Sequence, residues 1–256
     1  MRSSPRISLR AVGATDAGSR AVNEDALLVA PALGLFAVCD GVAGRLGGAR
    51  ASAEAVATIE SFVRARLRDA GPQRELGDAA ARRDALGRLL RAALVEANAA
   101  LLRRGREEPA VRGLATTASA LLVVGDDAAL AHIGDSRIYR IRGAEVTQLT
   151  RDHSFAAWAE RGGVDPDRAA RLRGVTEVLG LRDVPQIDVA PVDVAPGDRL
   201  LLCTDGLYAR LADDATIAAL VGGPLEGVAA RALDHARVAA SVDNITAVVV
   251  DCAAAS

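Results

Sequence analysis

The sequence contains no lysine: all 31 of its basic residues are arginine. That absence excludes a phosphate-loop lysine, a Schiff-base amine and a kinase-type ATP lysine. Aromatic residues make up only 2% of the chain, so a core has to be built from Ala, Val, Leu and Ile. The three cysteines, Cys39, Cys203 and Cys252, lie far apart. An odd count without short spacing argues against a disulfide framework or a Cys-rich zinc site, and for reduced, buried thiols. The histidines, His132, His153 and His235, match no zinc spacing either. His132 reads as a satisfied core residue and His153 as one that orders its loop. A large charge excess is missing as well. The net charge is −2, and no basic field argues for nucleic acid. The longest apolar run, Ala26 to Cys39, is interrupted by Pro31 and Gly34 and is too short for a bilayer. The opening MRSSPRISLR lacks the apolar centre of a signal peptide. The expectation is a soluble, cytoplasmic protein with no membrane segment.

What is present is a series of short apolar runs punctuated by turns. Strands are predicted at Ile7 to Ala14, Ala26 to Val29 and Gly34 to Cys39, and their short connections favour antiparallel pairing. A helix starts near Gly47-Gly48, with Ala55, Val56, Ile59, Phe62, Val63 and Leu67 at helical spacing, and stops at Gly71-Pro72. Leu76 to Ala81 reads as a connection. A second helix carries Leu86, Leu89, Leu90, Ala93, Leu94, Ala97 and Leu101 on one face. Arg103 to Arg112, charged and containing Gly and Pro, reads as an exposed, mobile loop. Four strand-like runs follow, Thr116 to Val124, Ala128 to Ile133, Arg137 to Arg142 and Glu145 to Leu149. Phe155 to Leu172 is weakly helical and broken near Gly162-Gly163. Ile187 to Val194 and Arg199 to Cys203 are strands, Asp213 to Val221 and Leu225 to Ala239 helices, and Asn244 to Val250 a last strand. Strands, two helices, strands, two helices and a strand imply an α+β fold in which helices cover antiparallel sheets.

Carboxylates gather at the ends of these strands. The apolar run Leu35 to Cys39 stops at Asp40-Gly41, and Leu200 to Thr204 stops at Asp205-Gly206. Asp135 occupies a strand-to-turn corner, Asp243 precedes the last strand, and Glu24-Asp25 precedes the second. Each alone reads as a turn or cap residue. Together, unpaired buried carboxylates repel one another, and a shared cation is the economical solution. Gly41 can turn sharply and expose its carbonyl. Hard oxygen donors suit Mg²⁺ or Mn²⁺. Two such ions about 4 Å apart suit attack on phosphorus. A phosphate dianion then needs a positive fork, and Arg20, just before Glu24, is the candidate.

These residues lie in an ordered set of motifs: TDAGSRAVNED at Thr15 to Asp25, DGVAG at Asp40 to Gly44, LATT at Leu114 to Thr117, GDSR at Gly134 to Arg137, TRDHS at Thr150 to Ser154, CTDGL at Cys203 to Leu207 and DNIT at Asp243 to Thr246. With them the chain resembles the metal-dependent protein serine/threonine phosphatases of the PPM family (phosphatase type 2C), in their compact bacterial form, from about Ile7 to Asp251. The resemblance implies a four-layer α-β-β-α sandwich, one catalytic domain over residues 1–256, with a flap at about 155–176. It implies that Asp40, Asp205 and Asp243 are direct metal ligands and that Gly41 gives its carbonyl. Glu24 and Asp25 match acidic residues that bind a metal or its waters. Asp135 matches the ligand, shared with Asp205, of a weaker third metal. Arg20 matches the phosphate-binding arginine.

The implied activity is hydrolysis of phosphoserine and phosphothreonine in proteins by a water bridging two Mn²⁺ or Mg²⁺ ions, with Arg20, Asp25, Asp40 and Asp205 as catalytic residues. A monomer opposing a bacterial Ser/Thr kinase is the expected setting. The chain departs from the bacterial pattern at Val42 and Ala43, where Met and Gly are usual, and at Ala115, where Gly is usual. Many eukaryotic members carry a His beside the Asp-Gly. Val42 cannot donate a proton, so the leaving alkoxide needs one from water. The flap segment looks shortened and lacks the usual His-Pro element. Two other readings stand beside this one: a non-catalytic module that binds phosphoproteins, which retention of Asp40, Asp205 and Asp243 opposes, and a two-metal phosphodiesterase, which the acidic balance opposes.

Overall fold

A computed structural model describes residues 7–42, 47–69, 78–169, 171–172 and 174–255. In chain order the elements begin with β1 (Ile7–Asp16), β2 (Asp25–Ala30), β3 (Leu35–Asp40), α1 (Gly48–Asp69) and α2 (Ala79–Glu107). The antiparallel series β4 (Ala118–Val124), β5 (Asp127–Ile133), β6 (Arg137–Arg142) and β7 (Glu145–Gln148) follows. After it come α3 (Phe155–Arg161), α4 (Pro166–Ala169), β8 (Asp188–Val192) and β9 (Arg199–Cys203). The chain closes with α5 (Asp205–Tyr208), α6 (Asp214–Val221), α7 (Val228–Val238) and β10 (Ile245–Ala254). Pro31 and Gly34, which interrupt the longest apolar run, form the turn between β2 and β3. Pro31 opens a 3-10 turn, and Gly34 closes it at φ +66°, where a side chain would collide with the Val123 carbonyl.

Two five-stranded antiparallel sheets result, ordered β1-β10-β9-β6-β7 and β2-β3-β4-β5-β8. Their central strands are apolar on both faces because both faces are covered. In β3, Leu35, Ala37 and Cys39 pack with α1 and α2, whereas Phe36 and Val38 face the other sheet. In β9, Leu201 and Cys203 pack with α6 and α7, whereas Leu200 and Leu202 face inward. Three stacked cores make the four-layer α-β-β-α sandwich. All three cysteines are buried and free. No helix among the described residues is long and apolar enough to cross a membrane.

Two expectations are corrected. Arg103 to Arg112 is not a loop: α2 continues through Glu107 and passes into a 3-10 turn, Pro109–Val111. Its charges have partners that a linear reading cannot see. Arg104 reaches Glu54 of α1 at 3.2 Å and Glu108 at 3.1 Å, and Arg50 forks onto Glu108 at 2.5 and 2.9 Å. The first strand also does not pair with the second. β2 pairs with β3, but β1 runs beside β10 along its whole length, from Ile7 opposite Ala254 to Asp16 opposite Ile245. The loop at residues 17–24 therefore carries the chain from one sheet to the other. The predicted helix end at Gly71-Pro72 lies outside the described residues, as does the start of the Leu76 to Ala81 connection.

Candidate functional site

The strand ends of the two sheets bring the acidic residues together. Asp25 opens β2 and Asp40 closes β3, and the two are register partners. Asp205 starts α5, one residue beyond the end of β9, Asp243 lies two residues before β10, and Asp135 sits in the turn between β5 and β6. Each is placed by backbone contacts that tolerate little change. Asp40 is clamped by the paired threonines. Thr116 Oγ1 and the Thr117 N–H both donate to its carbonyl at 2.8 Å, and its own N–H donates to Thr117 Oγ1 at 3.0 Å. Thr117 Oγ1 is also 2.8 Å from Ser136 Oγ, which ties Asp40 to the corner holding Asp135.

Gly41 and Gly206 follow the two strand-end aspartates because the backbone approaches too closely for a side chain. The Gly41 N–H donates to the Glu24 carbonyl at 3.0 Å, and a Cβ there would overlap the carbonyls of Gly48 and Glu24. A Cβ on Gly206 would overlap the Asn244 carbonyl. Asn244 is the knot of the site. Its Oδ1 accepts from the Glu24 N–H, and its Nδ2 donates to the carbonyls of Ala17 and Val22, all at 2.9 Å.

Asp25 bridges the sheets. Its Oδ2 accepts from Thr204 Oγ1 at 2.8 Å and from Thr246 Oγ1 at 2.6 Å, and Thr246 in turn meets Thr15 at 2.7 Å. The structural work of Thr116, Thr117, Thr204, Thr246 and Asn244 was not visible in the sequence, although the first two and the last three stand inside the quoted motifs. Hydroxyls recurring beside Asp-Gly and Asp-Asn were the available signal.

The electrostatics show what this gathering costs. Burial, with the Thr246 and Thr204 hydrogen bonds opposing it, raises the Asp25 carboxyl to about 6, and Asp205 and Asp243 push the same way. Burial and the neighbouring Asp243 raise Asp205 to about 6. Burial and Asp205 raise Asp135 to about 7. Asp40 is held well above the usual carboxylate range by burial, then by Asp25, Asp205, Asp135 and Asp243. Oδ1 of Asp25 and Oδ1 of Asp205 are both buried without a hydrogen-bond partner among the described residues. Such orphaned oxygens are costly unless something positive meets them.

A hard divalent cation fits this donor set, because only oxygens are offered. No imidazole competes. His132 is engaged by Ser119 Oγ at 2.8 Å and the Arg151 carbonyl at 3.1 Å, and burial and His153 lower it to about 4. His153 accepts from the Gly134 N–H at 3.3 Å and lies 3.2 Å from Asp188. Among the described residues, however, no three Asp, Glu, His or Cys side chains close into a finished ligand shell.

Two candidates stand apart from the mutually repelling group. The Glu24 carboxylate turns to the first residue of α1, so close that a Cβ on Gly48 would strike its Oε1. Arg20 is beside the group but engaged: its guanidinium donates to Asp243 Oδ2 at 2.8 Å and to the Val242 carbonyl at 3.1 Å. Val42 follows Gly41 and donates its N–H to the Ala115 carbonyl, whereas Ala43 and Gly44 lie outside the described residues.

Comparison with known proteins places this geometry. The family model described as protein phosphatase 2C matches residues 12–239. The serine/threonine protein phosphatase PstP of Mycobacterium tuberculosis is 32% identical over 249 residues, 95% of this chain. The chain spans 45% of that relative's own length. A crystal structure of the M. tuberculosis phosphatase PstP/Ppp superposes with a TM-score of 0.81 at 30% identity, covering 96% of this chain and 99% of that one. A structure of the PstP catalytic domain in complex with two manganese ions superposes with a TM-score of 0.79 at 31% identity, covering 97% and 99%.

Proposed function

We propose that this chain, which belongs to the protein phosphatase 2C family, hydrolyses phosphoserine and phosphothreonine in proteins with the aid of Mn²⁺ or Mg²⁺. One observation carries the reading. Five aspartates crowd the ends of two facing sheets, and two of them present buried oxygens that nothing among the described residues satisfies. A fold that keeps such a cluster has a use for the cation that relieves it.

In this reading Asp40, Asp205 and Asp243, with the Gly41 carbonyl, hold the cations. Asp25 and Glu24 act on them directly or through water, and Asp135 with Asp205 forms a weaker third site. When bound, the cations supply Lewis acidity toward the phosphate and bring a water's acidity near neutrality. The chain's own residues do the rest. The paired threonines fix the Asp40 backbone. Thr204 and Thr246 hold one oxygen of Asp25 and leave the other free toward the site. Arg20, which rests on Asp243, would offer its fork to the phosphate oxygens. Val42 has no proton to give, so the departing alkoxide is protonated by water. The unit acts as one catalytic domain, and a Ser/Thr kinase with its substrates is the fitting counterpart.

The test is release of phosphate from phosphothreonine peptides by the folded chain in Mn²⁺, with loss of release in EDTA and its return on re-addition of Mn²⁺. A folded sample with ample Mn²⁺ and no turnover of any phosphomonoester overturns the reading. Turnover of a diester in place of a monoester replaces it with a phosphodiesterase.

A further inference from the structure

The fold also builds a concavity of about 530 Å³ that none of the acidic site's aspartates lines. It lies between α3 and the stretch that leads into β8, and its walls include Arg151, Phe155, Trp158, Arg161 and Arg182. Two features make it unusual for this chain. Aromatics are scarce, yet the sole Trp and one of three Phe stand here, 63% and 47% exposed. Phe155 and Trp158 are three apart and share one face of α3, so the pair forms an apolar wall left in water. The concavity also carries an excess of one positive charge, Arg151, Arg161 and Arg182 set against Glu177 and Asp188, in a chain of net charge −2. Arg151 is paired with Asp188 at 3.3 Å and Arg182 with Glu177 at 3.1 Å. Arg161 has no hydrogen-bond or ion-pair partner for its side chain among the described residues.

The wall of this concavity is coupled to the acidic site. His153, which lines it, donates its N–H to the Gly134 carbonyl at 2.7 Å, and Gly134 immediately precedes Asp135. One Cα step of 3.8 Å plus a hydrogen-bonded backbone step of about 5 Å brings the His153 backbone within about 9 Å of the Asp135 backbone. An extended peptide advances about 3.3–3.6 Å per residue. A phosphoresidue held at the strand ends therefore has its neighbours two to five positions away at this rim.

We propose that the concavity is the docking site for an acidic segment of the phosphoprotein substrate, two to five residues from the phosphoresidue. A Glu or Asp there meets the unpaired guanidinium of Arg161, and its aliphatic stem lies on Phe155 and Trp158. The proposal rests on the phosphatase reading above and adds to it a preference among substrates. Charge complementarity selects the occupant: an unpaired guanidinium facing a peptide rewards a carboxylate and repels a lysine.

Three phosphothreonine peptides test it, alike except for Glu, Ala or Lys at positions two to five on either side. p-Nitrophenyl phosphate, which has no flanking residues, serves beside them. The expected kcat/KM for the Glu peptide exceeds that for the Ala peptide about two- to fivefold, the size of one exposed charge pair, with the difference in KM. Arg161→Ala and Trp158→Ala abolish that advantage and leave p-nitrophenyl phosphate turnover unchanged. Equal rates for the three peptides, or variants that depress every substrate alike, overturn the proposal.

Trp158 also reports binding directly, because it is the only Trp. In the intact chain its emission should shift on titration with the Glu peptide and not with the Lys peptide. That readout separates the two failures. If no phosphomonoester is hydrolysed, the catalytic reading is lost whatever the fluorescence does. If turnover is normal and the emission does not discriminate, only the docking proposal is lost.

Discussion

Replacing Asp25 with Asn should stabilise the cation-free protein while destroying its activity, and the structure supplies the magnitude. Asp25 is 8% exposed, and one of its oxygens has no partner among the described residues. Its carboxyl stands at about 6 in the fold, raised first by burial, against about 3.9 in an unfolded chain, and the gap corresponds to about 3 kcal/mol. Because the folded value is the higher one, the folded chain binds more protons than the unfolded chain between about pH 4 and 6, and stability is lost as pH rises through that window. At pH 7.5 the full cost of the buried charge is present.

Asn keeps the shape, accepts from Thr204 and Thr246 and cannot ionise. Its amide N–H₂ is then the unpartnered group, which takes back about 1–2 kcal/mol. The expected net effect in EDTA at pH 7.5 is a gain of about 1–2 kcal/mol, or a Tm higher by about 2–8 °C. At pH 4.5, where Asp25 is already protonated in the fold, the gain should vanish. Saturating Mn²⁺ should reverse the order, because ligation at one hundred times Kd adds about 2.7 kcal/mol to the wild type. Urea denaturation of both chains, at the two pH values and with EDTA or Mn²⁺, decides the matter. An Asn variant that is less stable in EDTA at pH 7.5, or a difference that does not change with pH, refutes the reasoning.

Arg20→Ala should raise KM for p-nitrophenyl phosphate far more than it lowers kcat. It should change stability by less than about 1 kcal/mol, because the Arg20–Asp243 pair is solvent-exposed. Unchanged monoester kinetics would remove Arg20 from the phosphate site. Asp135→Ala should keep two tight Mn²⁺ sites by titration calorimetry and lose rate, and disappearance of both sites would contradict a role confined to a weaker third ion. Gly206→Ala should destabilise by about 1–3 kcal/mol, because its Cβ meets the Asn244 carbonyl and backbone must move. A urea midpoint unchanged from wild type would show that the contact relaxes freely.

An α+β fold with helices covering antiparallel sheets was legible from the chain because apolar runs, turn residues and helical spacing are local signals, whereas the four-layer order came only from the family resemblance. Leu35 to Cys39 and Leu200 to Cys203 announce strands buried on both faces by their unbroken apolar character, and Asp213 announces a helix start that it does cap, accepting from Thr216. Errors arose where a residue's partner lies far along the chain. Arg104 belongs to a helix because Glu54 and Glu108 hold it, and nothing within RRGREEPAVR indicates that. β1 chooses β10 over its neighbour β2 because closing the sheet buries Val12 and Ala14 beside Val249 and Ala247, a comparison that no short window contains.

The candidate site divides in the same way. Sequence alone was enough to determine which residues can supply hard oxygens, that lysine chemistry is excluded, and that Asp-Gly pairs end two apolar strands. Tertiary structure alone decided that Asp25 and Asp40 are register partners. It also decided that Thr204 and Thr246 hold one oxygen of Asp25 and leave the other unpartnered, that Glu24 turns to Gly48, and that Arg20 rests on Asp243. The reason is physical. Residue type fixes which groups can donate, accept or ionise, whereas burial and Coulomb interaction depend on distances between segments as far apart in sequence as Asp25 and Thr246, and only the packed sheets set those distances.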